Sequence, residues 1–288
     1  MRTHSFDCSF IAVCILTAAA LPARGEDKFD KLPAMTYATH GKQALEADVY
    51  LPKGKGPFPA ALVVHGGAWA HGNKRQVRGI GTTLAEHGYT AVAIDYRLAP
   101  KHKFPAQIDD CRAAVRWMRS RAKELRLDPQ RIAAVGYSAG GHLVSLLGTN
   151  QDPDSADDKP SSGDNASRLG SRVQAVVAGG APCDFRLLPR DNEILAYWLG
   201  GTRGEKEEAY RLASPLAFVS KDDPPMFFYH GEKDFLVPQF SLLVMTAALK
   251  GAGVEAELHV IPEAGHIEAF LDQPALDKAC EFLDKRLK

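Results

Sequence analysis

Gly136-Tyr137-Ser138-Ala139-Gly140 follows directly on the apolar run Arg131-Ile132-Ala133-Ala134-Val135. The pattern is G-x-S-x-G at the predicted end of a strand and the start of a helix. A turn this tight lifts a serine hydroxyl clear of a sheet only if little side-chain bulk surrounds it, and Gly136 and Gly140 supply that room. Short Gly–Ser patterns are common in proteins. The weight of this one comes from its place after a strand and from the residues downstream that could serve it.

On either side of the turn, strand-like and helix-like segments alternate. Leu45 to Leu51 reads as a strand, as do Ala60 to Val64, Tyr89 to Ile94, Arg172 to Ala178, Met226 to Tyr229 and Glu255 to Ile261. Several are short and apolar throughout, which suits a parallel sheet covered on both faces. Helices are predicted over Val77–His87, Ala106–Arg126, about Ala139–Leu147, Gln239–Lys250 and Pro274–Leu287. In the second, Ile108, Cys111, Val115, Met118, Ala122 and Leu125 form one apolar stripe. Phe185 to Ser220 breaks the alternation, with a helical piece over Asn192–Leu199, and reads as a small helical lid insertion at the sheet's C-terminal edge. The expected fold class is α/β: a single domain with a mostly parallel sheet and helices on both faces.

The chain has 288 residues, 45% hydrophobic and 24% charged. A chain of this length buries roughly 75% of its unfolded surface, so it needs no covalent staples. Its formal net charge is zero, which leaves no electrostatic footprint for nucleic acid and no polybasic membrane patch. At the N-terminus, Arg2 precedes the apolar run Phe10 to Leu21, followed by the small residues Ala23 and Gly25. Residues 1–25 therefore read as a cleaved secretory signal, with residues 26–288 as the domain. A secreted or periplasmic protein without a membrane anchor is expected. Of five cysteines, Cys8 and Cys14 would leave with the signal. Cys111, Cys183 and Cys280 remain, an odd number, and Cys111 and Cys280 read as buried free thiols. The stretch 151–171 reads as a surface loop carrying the sequon Asn165-Ala166-Ser167. Its aspartates miss the calcium-loop pattern, and neither metal nor cofactor is called for.

A serine hydroxyl is a poor nucleophile until a neighbouring base takes its proton. That base is usually a histidine held in one tautomer by a carboxylate. The best acid is Asp234, in His230-Gly231-Glu232-Lys233-Asp234. The best base is His266, in Ala264-Gly265-His266. Both fall in loops at strand C-termini, where open α/β sheets bind ligands. Glu232 and Asp184 are rival acids, and His142 is a rival base. A developing oxyanion needs preorganised donors. The Ala139 N–H is one, and the others are sought in His65-Gly66-Gly67-Ala68-Trp69, among Gly66, Gly67 and Ala68. Trp69 either walls the acyl pocket or packs under the insertion.

These pieces resemble α/β-hydrolases of the hormone-sensitive-lipase-like group. They resemble more closely the carbohydrate-esterase-like members that include acetylxylan and feruloyl esterases. The resemblance is carried by residues 65–69, Asp95-Tyr96-Arg97-Leu98-Ala99-Pro100, residues 136–143, Gly231 to Asp234 with Val237-Pro238, and Gly265-His266. Ala68 and Tyr137 replace a glycine and an aspartate usual in the lipase-like group. That shifts the match toward the carbohydrate-esterase-like and kynurenine-formamidase-like branches. The resemblance implies an α/β-hydrolase fold, a Ser138–His266–Asp234 triad, structural roles for Asp95 and Arg97, and substrate contacts at Trp69 and Tyr137. The expected substrate is a short acyl ester, small or borne on a polysaccharide. The alternatives are an arylformamidase-like amidase, a small peptidase, or a protein that keeps the fold and only binds. Sequence leaves the oligomeric state open.

Overall fold

The computed structural model describes residues 28–150 and 170–288. The signal reading over 1–25 and the sequon at Asn165 lie outside the described residues.

Among the described residues, nine strands form one sheet in the order β1-β3-β5-β4-β6-β7-β8-β9, with β2 paired to β3. They are β1 (Phe29–Lys31), β2 (Met35–His40), β3 (Gln43–Pro52), β4 (Phe58–Val64), β5 (Thr90–Ile94), β6 (Leu127–Tyr137), β7 (Ala175–Gly179), β8 (Met226–Gly231) and β9 (Ala256–Ile261). From β5 across to β9 every pairing is parallel; β1, β2 and β5 run antiparallel to β3. The helices are α1 (Arg78–Glu86), α2 (Ala106–Ser120), α3 (Ala139–Thr149), α4 (Ala196–Leu199), α5 (Glu207–Leu212), α6 (Phe240–Gly251), α7 (His266–Phe270) and α8 (Gln273–Leu287).

Alternation along β4 divides the core between the two faces. Leu62 and Val64 join Ile108, Val115, Leu143, Leu242 and Met245 on one side. Ala61 and Val63 join Ile80, Leu84, Leu276 and Leu283 on the other. This is why the central strands read as continuous apolar runs: both faces are covered.

Two predicted helices prove shorter than in the sequence reading, and two edge strands are added to it. The helix expected over 106–126 stops at Ser120. The chain then turns through Arg126, whose φ is +50°, while Leu125 stays buried, so the apolar spacing outlasts the helix. The helix expected over 192–199 spans only Ala196–Leu199. Asn192 Oδ1 accepts the Ile194 N–H at 2.8 Å, an Asx turn that competes with helical bonding. Strands β1 and β2 carry no alternation that the sequence would show, because they are short or largely exposed at the sheet edge. Cys111, Cys183 and Cys280 are free and buried, and burial pushes the Cys183 and Cys280 thiols up to about 12.

Candidate active site

β4 and β6 are neighbours, with Val64 opposite Gly136, so the segments leaving their C-terminal ends emerge side by side. Ser138 stands between β6 and α3 at φ +56°, ψ −123°. For a residue with a Cβ this region is strained, and the surroundings hold it there. The Ser138 N–H donates to Gly179 O at 2.8 Å, and the His142 N–H to Ser138 O at 2.9 Å. The turn needs its glycines. A Cβ on Gly140 would stand 2.1 Å from Val64 O, and one on Gly136 would stand 2.4 Å from Gly140 O.

The β4 loop lies against the serine. A Cβ on Gly66 would come within 3.1 Å of Ser138 Cβ. Gly67, Ala68 and Trp69 then follow at φ +105°, +49° and +57°. The turn closes through the Ala70 and His71 N–H groups, both donating to Gly67 O. That leaves the Gly67 and Ala68 N–H groups outside the turn's own bonds. Ala139 is the first residue of α3, where a helix leaves its N–H groups without intrahelical partners. Tyr96 donates its hydroxyl to His65 O at 3.1 Å, and Tyr197 from α4 donates to Ala68 O at 2.7 Å. The insertion thus braces this loop. Around it, Arg97 forks onto Asp110, and Asp95 takes the Lys74 ammonium at 3.0 Å.

Asp234 follows β8 and His266 opens α7. The His266 Nδ1–H donates to Asp234 Oδ2 at 2.6 Å. Asp234 Oδ1 accepts the Leu236 and Val237 N–H groups, each at 2.9 Å, and the carboxylate is fully buried. A carboxylate with these donors is an acceptor locked in place, and it leaves His266 Nε2 as the ring's free acceptor. No hydrogen bond joins Ser138 Oγ to His266 among the described residues; Tyr137 links the two sides. Its hydroxyl donates to His266 O at 2.6 Å, and the two rings lie 5.1 Å apart. The rival acids are otherwise engaged: Asp184 holds Arg186 at 2.8 Å, and the exposed Glu232 accepts the Glu263 N–H.

The two side chains expected to touch substrate are turned inward. Tyr137 is 3% exposed and acts as the strut just described. Trp69 is 4% exposed. It stacks on Trp198 with centroids 3.8 Å apart and meets Phe185 and His142 edge-on. Of its two readings, packing under the insertion is the one the geometry takes. Its Nε1–H donates to His142 Nδ1 at 3.1 Å. Indole nitrogen only donates, so Nδ1 is the acceptor, and the His142 proton sits on Nε2, donating to Ala213 O at 2.6 Å. Both nitrogens are therefore occupied. Burial pushes this imidazole down to about 4, against the pull of the Ala213 carbonyl. His142 is a neutral structural group.

Sequence reasoning missed Tyr197, Trp198 and His230. The first two sit in an irregular insertion with no periodicity to read. His230 left a signal, a polar residue ending the apolar strand Met226–Tyr229.

With this geometry in hand, known proteins supply the lineage. Residues 47–248 match the BD-FAE family model. The chain is a member of the BD-FAE family. It is similar to Esterase LipC of Mycobacterium tuberculosis, 31% identical over 226 residues, which cover 75% of this chain and 54% of LipC. The chain spans about half the length of the curated relatives it matches. Among solved structures it resembles a truncated carbohydrate esterase from gut microbiota. That match has a TM-score of 0.81 at 28% identity, covering 91% of this chain and 98% of the other. It also resembles the butyrate-bound esterase 2 of Thermogutta terrifontis. Here the TM-score is 0.74 at 27% identity, covering 88% and 93% of the two chains. This BD-FAE member has the α/β-hydrolase fold, with one domain and a mostly parallel sheet.

Proposed function

We propose that this chain is a secreted serine esterase that hydrolyses short acyl esters of carbohydrates. The observation that carries the reading is the 2.6 Å His266–Asp234 bond, set across Tyr137 from a serine held at φ +56°. Ser138 Oγ attacks the ester carbonyl carbon as His266 Nε2 takes its proton. The Ser–His contact closes in the substrate complex, as such bonds commonly do. Asp234 keeps Nδ1 protonated and offsets the positive charge that develops on the ring. The N–H groups of Ala139, Gly67 and Ala68 (or Gly66) hold the oxyanion. The carbonyl re-forms, the C–O bond to the alcohol breaks, and His266 returns the proton to the departing oxygen. Water repeats the sequence on the acyl-enzyme and frees the acid.

Two features support a short acyl group and a sugar alcohol. Trp69, Trp198, Phe185 and His142 fill the space behind the oxyanion loop with close-packed rings, which limits room for a long chain. The gut-microbiota neighbour is a carbohydrate esterase. Export rests on the reading of residues 1–25 and suits a substrate outside the cell. A second reading, an arylformamidase-like amidase, is favoured by one observation. Phe235 and Leu236, next to Asp234, and Ile267, next to His266, are exposed, an apolar landing for an aromatic leaving group beside the residue that protonates it.

The test is kcat/KM for acetyl, butyryl, octanoyl and feruloyl esters, acetylated xylan and N-formylkynurenine, with Ser138→Ala as control. Ser138→Ala is expected to lose activity by up to about 10⁶-fold while staying folded. Retention of a tenth of the activity overturns the mechanism. A maximum at octanoyl overturns the short-acyl reading, and a preference for N-formylkynurenine over every ester replaces it with the amidase.

A further inference from the structure

His230 is the next-to-last residue of β8, and it is fully buried. Among the described residues neither of its ring nitrogens has a hydrogen-bond partner of ordinary geometry, although the Val237 main chain faces the ring. Buried polar atoms are nearly always satisfied, and an orphan calls for an explanation. An apolar side chain of the same shape would fill this place at lower cost to stability. The nearest charged group supplies the explanation. His230 Nε2 lies 3.8 Å from Asp234 Oδ2, the same oxygen that accepts the His266 Nδ1–H at 2.6 Å. The other carboxylate oxygen is already taken by two main-chain N–H groups. The two imidazoles therefore compete for one oxygen, one closely and one at a distance.

We propose that His230 is a positioning residue: a neutral imidazole, protonated on Nε2, whose N–H dipole points at Asp234 Oδ2 and moderates the carboxylate's hold on His266. The inference rests on the triad reading above. The groups that face His230 are Asp234, His266 and the Val237 main chain. Burial lowers its basicity more than Asp234 raises it, which favours the uncharged ring. A donor aimed at a carboxylate stabilises the anion. It makes Asp234 a weaker partner for the His266 imidazolium, and so loosens the carboxylate's hold on the ring that must accept the serine proton.

The sign of the effect follows. Removing the donor strengthens the Asp234–imidazolium pair. His230→Phe keeps the volume and drops the donor. Its acid limb of kcat/KM, measured on 4-nitrophenyl acetate, should move up by about half a unit. That is about a threefold loss on the acid side, with little change at high pH or in KM. His230→Gln restores a donor and should return the limb toward wild type. A structural role alone would lower activity at every pH and leave the limb in place. If the limb of folded His230→Phe does not move, the proposal is wrong.

Nitrogen-15 NMR of the histidine rings in the wild-type protein reads the same point with no variant and no turnover. A neutral Nε2–H tautomer for His230 at pH 7.5 is expected. An Nδ1–H tautomer or a charged ring at that pH overturns the proposal. Because this measurement needs no substrate, its failure is distinct from failure of the esterase reading, which Ser138→Ala tests.

Discussion

His142 gives a prediction that can be worked through from the structure. Its ring is fully buried, accepts from Trp69 through Nδ1 and donates to Ala213 O through Nε2. Protonation would put a second proton on Nδ1, against the indole N–H, in a fully buried site. Burial accordingly lowers its pKa from 6.5 to about 4. In the unfolded chain the imidazole takes up a proton as pH falls through about 6.5. In the folded protein it does so only near 4. Between those values the unfolded state binds more protons, so stability falls as pH falls. The contribution is intact above pH 6.5 and fully lost by about pH 4. At about 1.4 kcal/mol per pH unit the whole window is worth about 3 kcal/mol, and the part above pH 4.5 about 2.5 kcal/mol. His142→Gln removes the titration while keeping an amide that can both donate and accept. Imperfect bonds should cost it about 1–2 kcal/mol at pH 7.5. Urea denaturation of both proteins at pH 7.5 and 4.5 measures the effect, and His65 and His230, also lowered by burial, cancel in the comparison. The gap between wild type and variant should close by about 2.5 kcal/mol at the lower pH, and the variant can become the more stable protein. A gap that is the same at both pH values would refute the argument.

Two further substitutions probe the site. Asp234→Asn should keep the fold but leave His266 in the wrong tautomer, with a kcat loss of about 10⁴-fold by analogy with the best-studied triad; Glu232→Gln should do far less, and the opposite ranking in steady-state kinetics would reassign the acid. Tyr197→Phe keeps the ring and drops only the bond to Ala68 O, worth about 1 kcal/mol for a neutral pair. Its kcat should fall about fivefold with KM and Tm nearly unchanged, and an unaltered kcat would mean that the oxyanion loop does not depend on the insertion.

Much of the architecture was legible because it is local. The elbow needs Gly136 and Gly140 wherever the rest of the chain goes, since any Cβ there meets backbone. The central strands had to be apolar on both faces, and their runs are short enough to be told from helices. Asp234 and His266 could be named because each follows a strand and carries the right chemistry. Sequence could not tell how the parts meet. The 2.6 Å bond joins residues 32 positions apart, and only the parallel pairing of β8 with β9 brings their loops together. Trp69 was ambiguous for the same reason: an indole beside an oxyanion loop serves the pocket or the core according to what lies opposite. That partner, Trp198, is supplied by an insertion 129 residues downstream. His142 stands one helical turn from Ser138, and its role was set by Ala213 and Trp69, both distant in sequence. Local sterics and hydrophobic period are written in short stretches of chain. Which polar atoms share a buried oxygen, and which are left without a partner, is decided only when strands far apart in sequence are laid side by side.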